Sequence, residues 1–174
     1  MKQVFLTLGL LLAVMVGFYW VSNRFEVKKE VSVQIADKEI YFETPEKLMA
    51  MTETEIKLLA RHENGKLVSY WIDFNYDPAK IKILNIEVNK DVFDKKVAVE
   101  LDEIMGKAKI IGENSKKREN LVGGDVLLAT LKIKGLSKGE TMIYASRKPE
   151  VGILEGIKVI EGNFQMPNFK VNFL

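Results

Sequence analysis

The stretch Val68-Ser69-Tyr70-Trp71-Ile72-Asp73-Phe74-Asn75-Tyr76, closed by Asp77-Pro78, decides how this chain folds. Side chains on a strand alternate between faces, so Tyr70, Ile72, Phe74 and Tyr76 share one side and Trp71, Asp73 and Asn75 the other. One side is wholly aromatic and aliphatic, which makes it core; each such side chain stabilises the fold by about 1.5–3 kcal/mol on burial. Asp77 can bond back to its own backbone and Pro78 presets a turn, so the strand stops there. These residues are read as structural.

The same period of two extends outward in both directions. Upstream, Val31, Val33 and Ile35 alternate with polar residues, as do Ile40 and Phe42, then Ile56, Leu58 and Ala60. Between the last of these and the opening stretch lies Arg61-His62-Glu63-Asn64-Gly65-Lys66. Asn-Gly is the strongest short hairpin signal, so a hairpin is expected there with His62 in a solvated turn. Downstream, strands are expected at Ile81–Ile83, Ile86–Val88, Val97–Leu101, Lys109–Ile111, Val126–Ile133, Met142–Tyr144, Ile157–Ile160 and Phe169–Phe173. Only Leu101–Met105 could form a helical turn.

About ten short strands with turns every 8–12 residues predict an antiparallel sandwich. No strand alternates with a long amphipathic helix, so no dinucleotide fold or phosphate loop is available. Gly106, Gly112, Gly123 and Gly124 lack the strand–loop–helix setting of a phosphate cradle.

Composition narrows the function. The 174 residues are 47% hydrophobic and 29% charged, and 26 Lys and Arg against 24 Asp and Glu leave a net charge of +2. That balance excludes a basic nucleic-acid surface. The absence of cysteine removes disulfides, thiol nucleophiles, Cys zinc sites and iron–sulfur clusters. A single histidine, His62, removes multi-His metal sites and disfavours a Ser–His–Asp site. No carboxylate pair has a recognisable catalytic setting, and no enzymatic activity is expected.

Residues 1–23 read as a signal-anchor. Val4 to Val21 is almost wholly apolar, and as a helix it reaches about 30 Å, the thickness of a hydrocarbon core. Tyr19 and Trp20 sit where amphipathic rings favour the membrane interface. Gly17-Phe18-Tyr19-Trp20 is too bulky for a signal-peptidase site, so the segment, spanning 4–22, is expected to stay attached. It lacks a pilin-type start. Residues 24–36 form a short linker or first strand, and 37–174 the sandwich. Arg24, Lys28 and Lys29 outweigh Lys2 and the α-amine, so the positive-inside count mildly opposes export of the sandwich.

The chain resembles the cohesin family. Asp73-Phe74-Asn75-Tyr76-Asp77-Pro78 followed by Ile81-Lys82-Ile83-Leu84 is similar to the signature in which an aromatic strand ends in Tyr-Asp-Pro before an apolar strand. Gly124-Asp125-Val126-Leu127-Leu128-Ala129-Thr130-Leu131-Lys132-Ile133-Lys134, then Leu136 and Gly139-Glu140-Thr141-Met142-Ile143, is similar to the family's later strand and hairpin. The likeness runs in order from about Ile40 to Phe173. It implies an all-β antiparallel β-sandwich of nine-stranded jelly-roll topology, here preceded by one transmembrane helix. It also implies an extracytoplasmic module without catalysis, against the charge count; the apolar run 4–22 is then expected to hold it at the cell membrane by a single pass. A dockerin-like protein module or a polysaccharide is the implied partner; a purely structural envelope protein is the remaining alternative.

The candidate partner-binding face is Trp71, Asp73 and Asn75, with Lys109, Ile111 and Glu113 on the strand expected beside them. In dockerin-binding cohesins this face is polar, and Trp71 departs from that. An exposed Trp suits a sugar ring or an interface anchor. Alternatively, Trp71 is covered by a loop or by residues 23–36. Asp91, Asp94, Glu100, Asp102 and Glu103 could hold structural Ca²⁺, but no Ca²⁺-loop spacing appears, so a solvated face is expected and no metal or other cofactor. Lys116-Lys117-Arg118 is expected to be solvated.

Overall fold

The computed structural model describes residues 38–174. Eleven strands follow one another: β1 (Lys38–Glu43), β2 (Glu53–His62), β3 (Lys66–Tyr76), β4 (Ile81–Val88), β5 (Lys96–Asp102), β6 (Lys107–Glu113), β7 (Gly124–Gly135), β8 (Gly139–Ala145), β9 (Glu150–Glu155), β10 (Lys158–Gly162) and β11 (Phe169–Phe173). A single 3-10 turn, Arg118–Asn120, precedes β7. The expected transmembrane helix at 4–22 and the alternation at Val31–Ile35 lie outside the described residues. Among the described residues no helix is long and apolar enough to cross a membrane.

The strands form two sheets. One has the order β1-β2-β7-β4; the other runs β10-β9-β3-β6-β5, with β8 also pairing β3 and β11 pairing β8. Every strand pair is antiparallel. This is the two-layer sandwich that period-two patterning implies, since each sheet buries one face against the other. Tyr70, Ile72, Phe74 and Tyr76 all face the core, with Phe74 wholly buried and packed edge-on to Phe42 at 5.8 Å. Phe93, on the β4–β5 connection, meets the Tyr70 ring edge-on at 4.7 Å. Burial pushes the Tyr70 hydroxyl's pKa well above its ordinary value. That hydroxyl donates to the Leu128 carbonyl at 3.0 Å.

Three expectations need correction. Asn64-Gly65 does not make a hairpin: β2 and β3 belong to different sheets, and the chain crosses between layers there. Gly65 supplies the left-handed turn (φ +91°), but local turn chemistry does not choose the sheet. His62 consequently lies beneath the crossover and not in a solvated turn. It is 1% exposed, stands edge-on to Phe164 at 6.1 Å, and has Nδ1 3.2 Å from the Asn64 carbonyl oxygen. Ile81–Ile83 and Ile86–Val88 are one strand, β4, with a bulge between Ile83 and Asn85. The extra residue resets the phase, so Ile81, Ile83, Ile86 and Val88 all point inward.

Leu101–Met105 runs out of β5 into a tight turn. Asp102 Oδ1 accepts from the backbone N–H groups of Ile104 (3.1 Å) and Met105 (2.9 Å).

Candidate functional site

The site is built on β3, the central strand of the larger sheet. On one edge β3 pairs with β6 from Ser69 to Asn75. Its other edge is shared, with β9 alongside Lys66–Trp71 and β8 alongside Phe74–Tyr76. Residues 146–149 bridge the gap between β8 and β9, at the level of Asp73, where Ser146 N–H donates to the Asp73 carbonyl at 3.0 Å. Pro149 cannot donate a ladder bond, which suits it to such an interruption. The break lifts Arg147 out of the sheet and over the outward face of β3.

Register brings most of the expected residues together. Trp71 stands opposite Ile111, Asp73 opposite Lys109, and Ser69 opposite Glu113. All are half-buried on the outward face. The Trp71 indole N–H donates to Asp73 Oδ1 at 2.9 Å. Arg147 Nε lies 2.6 Å from Asp73 Oδ2, and its Nη1 lies 3.1 Å from Glu150 Oε1. The guanidinium carbon sits 4.2 Å from the centre of the Trp71 ring, and Lys109 Nζ 5.5 Å from it. Among the described residues Trp71 is therefore a partly exposed ring flanked by two cations, each attracted to its π-face, one of them from the loop 146–149. The other expected cover, residues 23–36, lies outside the described residues. Lys109 also pairs with Glu100, and Glu113 with Lys95.

Two shallow grooves flank this cluster. One, of about 420 Å³, lies between β6 and β10 and is lined by Ser69, Trp71, Lys96, Ile111, Glu150 and Val159 among others. The second, of about 460 Å³, takes in Asp73, Asn75, Glu100, Asp102, Lys107 and Lys109. Asn75 is half-buried, and its side-chain oxygen is buried without a hydrogen-bond partner. Facing Asn75 on β8 is Tyr144, 42% exposed on the same side of the sheet.

The acidic residues do not converge. Asp94 binds the backbone N–H and hydroxyl of Ser115, both at 2.8 Å, and these bonds hold its carboxyl below the ordinary carboxylate value. Glu100 pairs with Lys109 and Asp102 caps a turn. Among the described residues no group of three or more acidic or His side chains is placed to hold a metal ion. In the basic run, Lys116 donates to the Asp91 carbonyl.

Sequence reasoning missed Arg147 and Glu150. The pattern Ser146-Arg147-Lys148-Pro149 looks like a plain polar loop, and β9 was not expected as a strand. A Pro followed by Val151 and Ile153, both buried, was the available signal.

No protein-family model matches this sequence, and no curated protein matches it at the level of sequence. The fold, however, is that of cohesin modules. A type I cohesin from Pseudobacteroides cellulosolvens superposes with a TM-score of 0.66 at 10% identity, over 79% of this chain and 92% of that one. A cohesin of scaffoldin B from Acetivibrio cellulolyticus, solved with a dockerin, gives 0.65 at 13% identity, over 80% of this chain and all (100%) of its own. A cohesin module from a Clostridium perfringens family 33 glycoside hydrolase gives 0.63 at 14% identity, over 78% and 96%.

Proposed function

We propose that this chain is a non-catalytic, cohesin-like docking module that holds a dockerin-like protein on the outward face of β3 and β6. The carrying observation is the arrangement around Trp71. An aromatic anchor with its N–H engaged by Asp73 and its ring flanked by Arg147 and Lys109 gives an apolar centre inside a charged rim. That is the make-up of a protein-binding hot spot. A sugar ring stacks on an open aromatic face, and the Arg147 guanidinium already lies over this one.

The second reading, a polysaccharide-binding module, has one observation in its favour: Tyr144 gives the same face a second exposed aromatic. Binding of the chain to an array of dockerin modules, with cellulose and xylan pull-downs in parallel, separates the two. Dockerin binding lost on Trp71→Ala supports docking. Retention on polysaccharide with no dockerin bound would replace it by the glycan reading.

The proposal includes location. The apolar run 4–22 would anchor the module in the cell membrane with the sandwich outside. Protease added to intact cells should then digest residues 38–174, whereas protection lost only on lysis would reverse the orientation.

A further inference from the structure

β5 is an edge strand of the larger sheet, and among the described residues no second strand, bridge or bulge covers its outer side. β4 carries a bulge, β1 is bridged at Glu39 by Gln165, β11 is bridged at Phe173 by Leu48, and β10 has five residues. β5 has seven residues, contains no proline, and runs beside β6 without a register shift. An edge so regular offers an unpaired row of backbone donors and acceptors. Its inward side is also incompletely covered. Val97 and Val99 stand opposite the buried Gly112 and Ile110, yet they are 36% and 39% exposed.

The sequence of that edge is self-complementary. Laid antiparallel on a second copy about a two-fold axis through Val99, Lys96-Val97-Ala98-Val99-Glu100-Leu101-Asp102 meets itself in a consistent pattern. Lys96 falls opposite Asp102 of the second copy at both ends, Val97 opposite Leu101, Ala98 opposite Glu100, and Val99 opposite its own equivalent. The charged pairs lie on the outward face and the apolar pairs on the inward face, so neither copy has to turn over. Opposite charges and β-branched residues directly across an antiparallel pair are the stabilising combinations. The same operation on β10 puts Val159 opposite Glu161, and on β11 it puts Lys170 opposite Asn172, with no charge complement. Asp102 can take part because it caps its turn through Oδ1.

We propose that the chain forms a two-fold dimer by β5–β5 pairing with a second copy of itself. The two larger sheets then become one continuous sheet, with both Trp71 faces on the same side. Five interstrand steps separate the two β3 strands, about 24 Å. The pairing holds whatever the Trp71 face binds.

The test uses single cysteines, since the chain has none of its own. Facing residues of an antiparallel pair have Cα atoms about 4.5–5.5 Å apart, inside the disulfide range. In the purified full-length chain, Val99→Cys should give a covalent dimer when copper phenanthroline oxidises the two thiols. Val97→Cys faces Leu101, not itself, and lies about 14 Å from its equivalent, so it should cross-link at least tenfold more slowly. Adding Lys96→Glu to Val99→Cys should cut cross-linking at least tenfold, and Lys96→Arg should preserve it. Melting curves check that each variant is folded. Equal cross-linking of the two cysteine variants, indifference to Lys96→Glu, or no covalent dimer from folded Val99→Cys overturns the proposal.

Discussion

The guanidinium of Arg147 lies 4.2 Å from the centre of the Trp71 ring. Its Nε simultaneously bonds Asp73, the residue that accepts the indole N–H. Arg147→Ala removes two surface ion pairs, to Asp73 and Glu150, and a cation–π contact, each worth no more than about 1 kcal/mol. The fold should survive with under about 2 kcal/mol lost. In a Trp20→Phe background, which leaves Trp71 as the one tryptophan, acrylamide should quench fluorescence more strongly once Arg147 is gone. Unchanged quenching would mean that Arg147 does not shield the ring in solution.

Trp71 and Phe74 stand on opposite faces of β3 and should separate cleanly. Trp71→Ala should leave the melting temperature near that of the parent while weakening dockerin binding by about 2 kcal/mol or more if Trp71 is an anchor. Phe74→Ala empties a wholly buried site beside Phe42 and should cost about 3–5 kcal/mol of stability. Thermal melts decide the first part and isothermal titration the second. A Trp71→Ala variant that melts like Phe74→Ala would return Trp71 to the core.

Gly112 leaves room for two rings. A Cβ there would come within 2.8 Å of Tyr70 Cζ and 3.0 Å of Phe93 Cγ. Gly112→Ala should therefore destabilise by about 1–3 kcal/mol through overpacking, read as a lower urea midpoint. No loss would show that the Tyr70–Phe93 pair has slack.

Tyr70 predicts the behaviour in alkali. Its folded-state pKa is raised by burial above the ordinary value of 10.0. Above pH 10 the unfolded chain releases this proton while the folded one keeps it, so stability must fall as pH rises from there. Tyr70→Phe abolishes that contribution and should flatten the decline between pH 9 and 11, at about 1 kcal/mol of lost hydrogen bonding near neutrality. Parallel slopes for the two proteins would contradict the assignment.

Most of the sandwich could be read from period-two patterning because inward and outward residues differ so sharply along β2 and β3, whereas the bulge in β4 shifts the phase and splits its pattern in two. The neighbourhood of Trp71, Asp73, Lys109 and Ile111 was equally legible, since a strand's alternation and one correct neighbour set its face. The crossover at Asn64-Gly65 was not, because an Asn-Gly turn defines a bend and not the sheet it leads into. Arg147 was invisible for a different reason. Its partner Asp73 lies far away in sequence, and an ion pair between distant loops and strands leaves no local pattern. His62 was misplaced by the same crossover that defeated the hairpin.

The position of β7 also governs when the domain can become whole. It sits between β2 and β4. Among the described residues β4 has no other strand partner, and β3 has one bare edge until β8 and β9 arrive. A growing chain that has not yet produced Gly124 thus carries two apolar strands, β2 and β4, with nothing to pair between them. Closure must join segments far apart along the chain, which places folding in the slow, millisecond-to-second regime of non-local β proteins. The late strands set the pace, and the interval before they emerge is when the unfinished chain is most exposed to self-association and to chaperones.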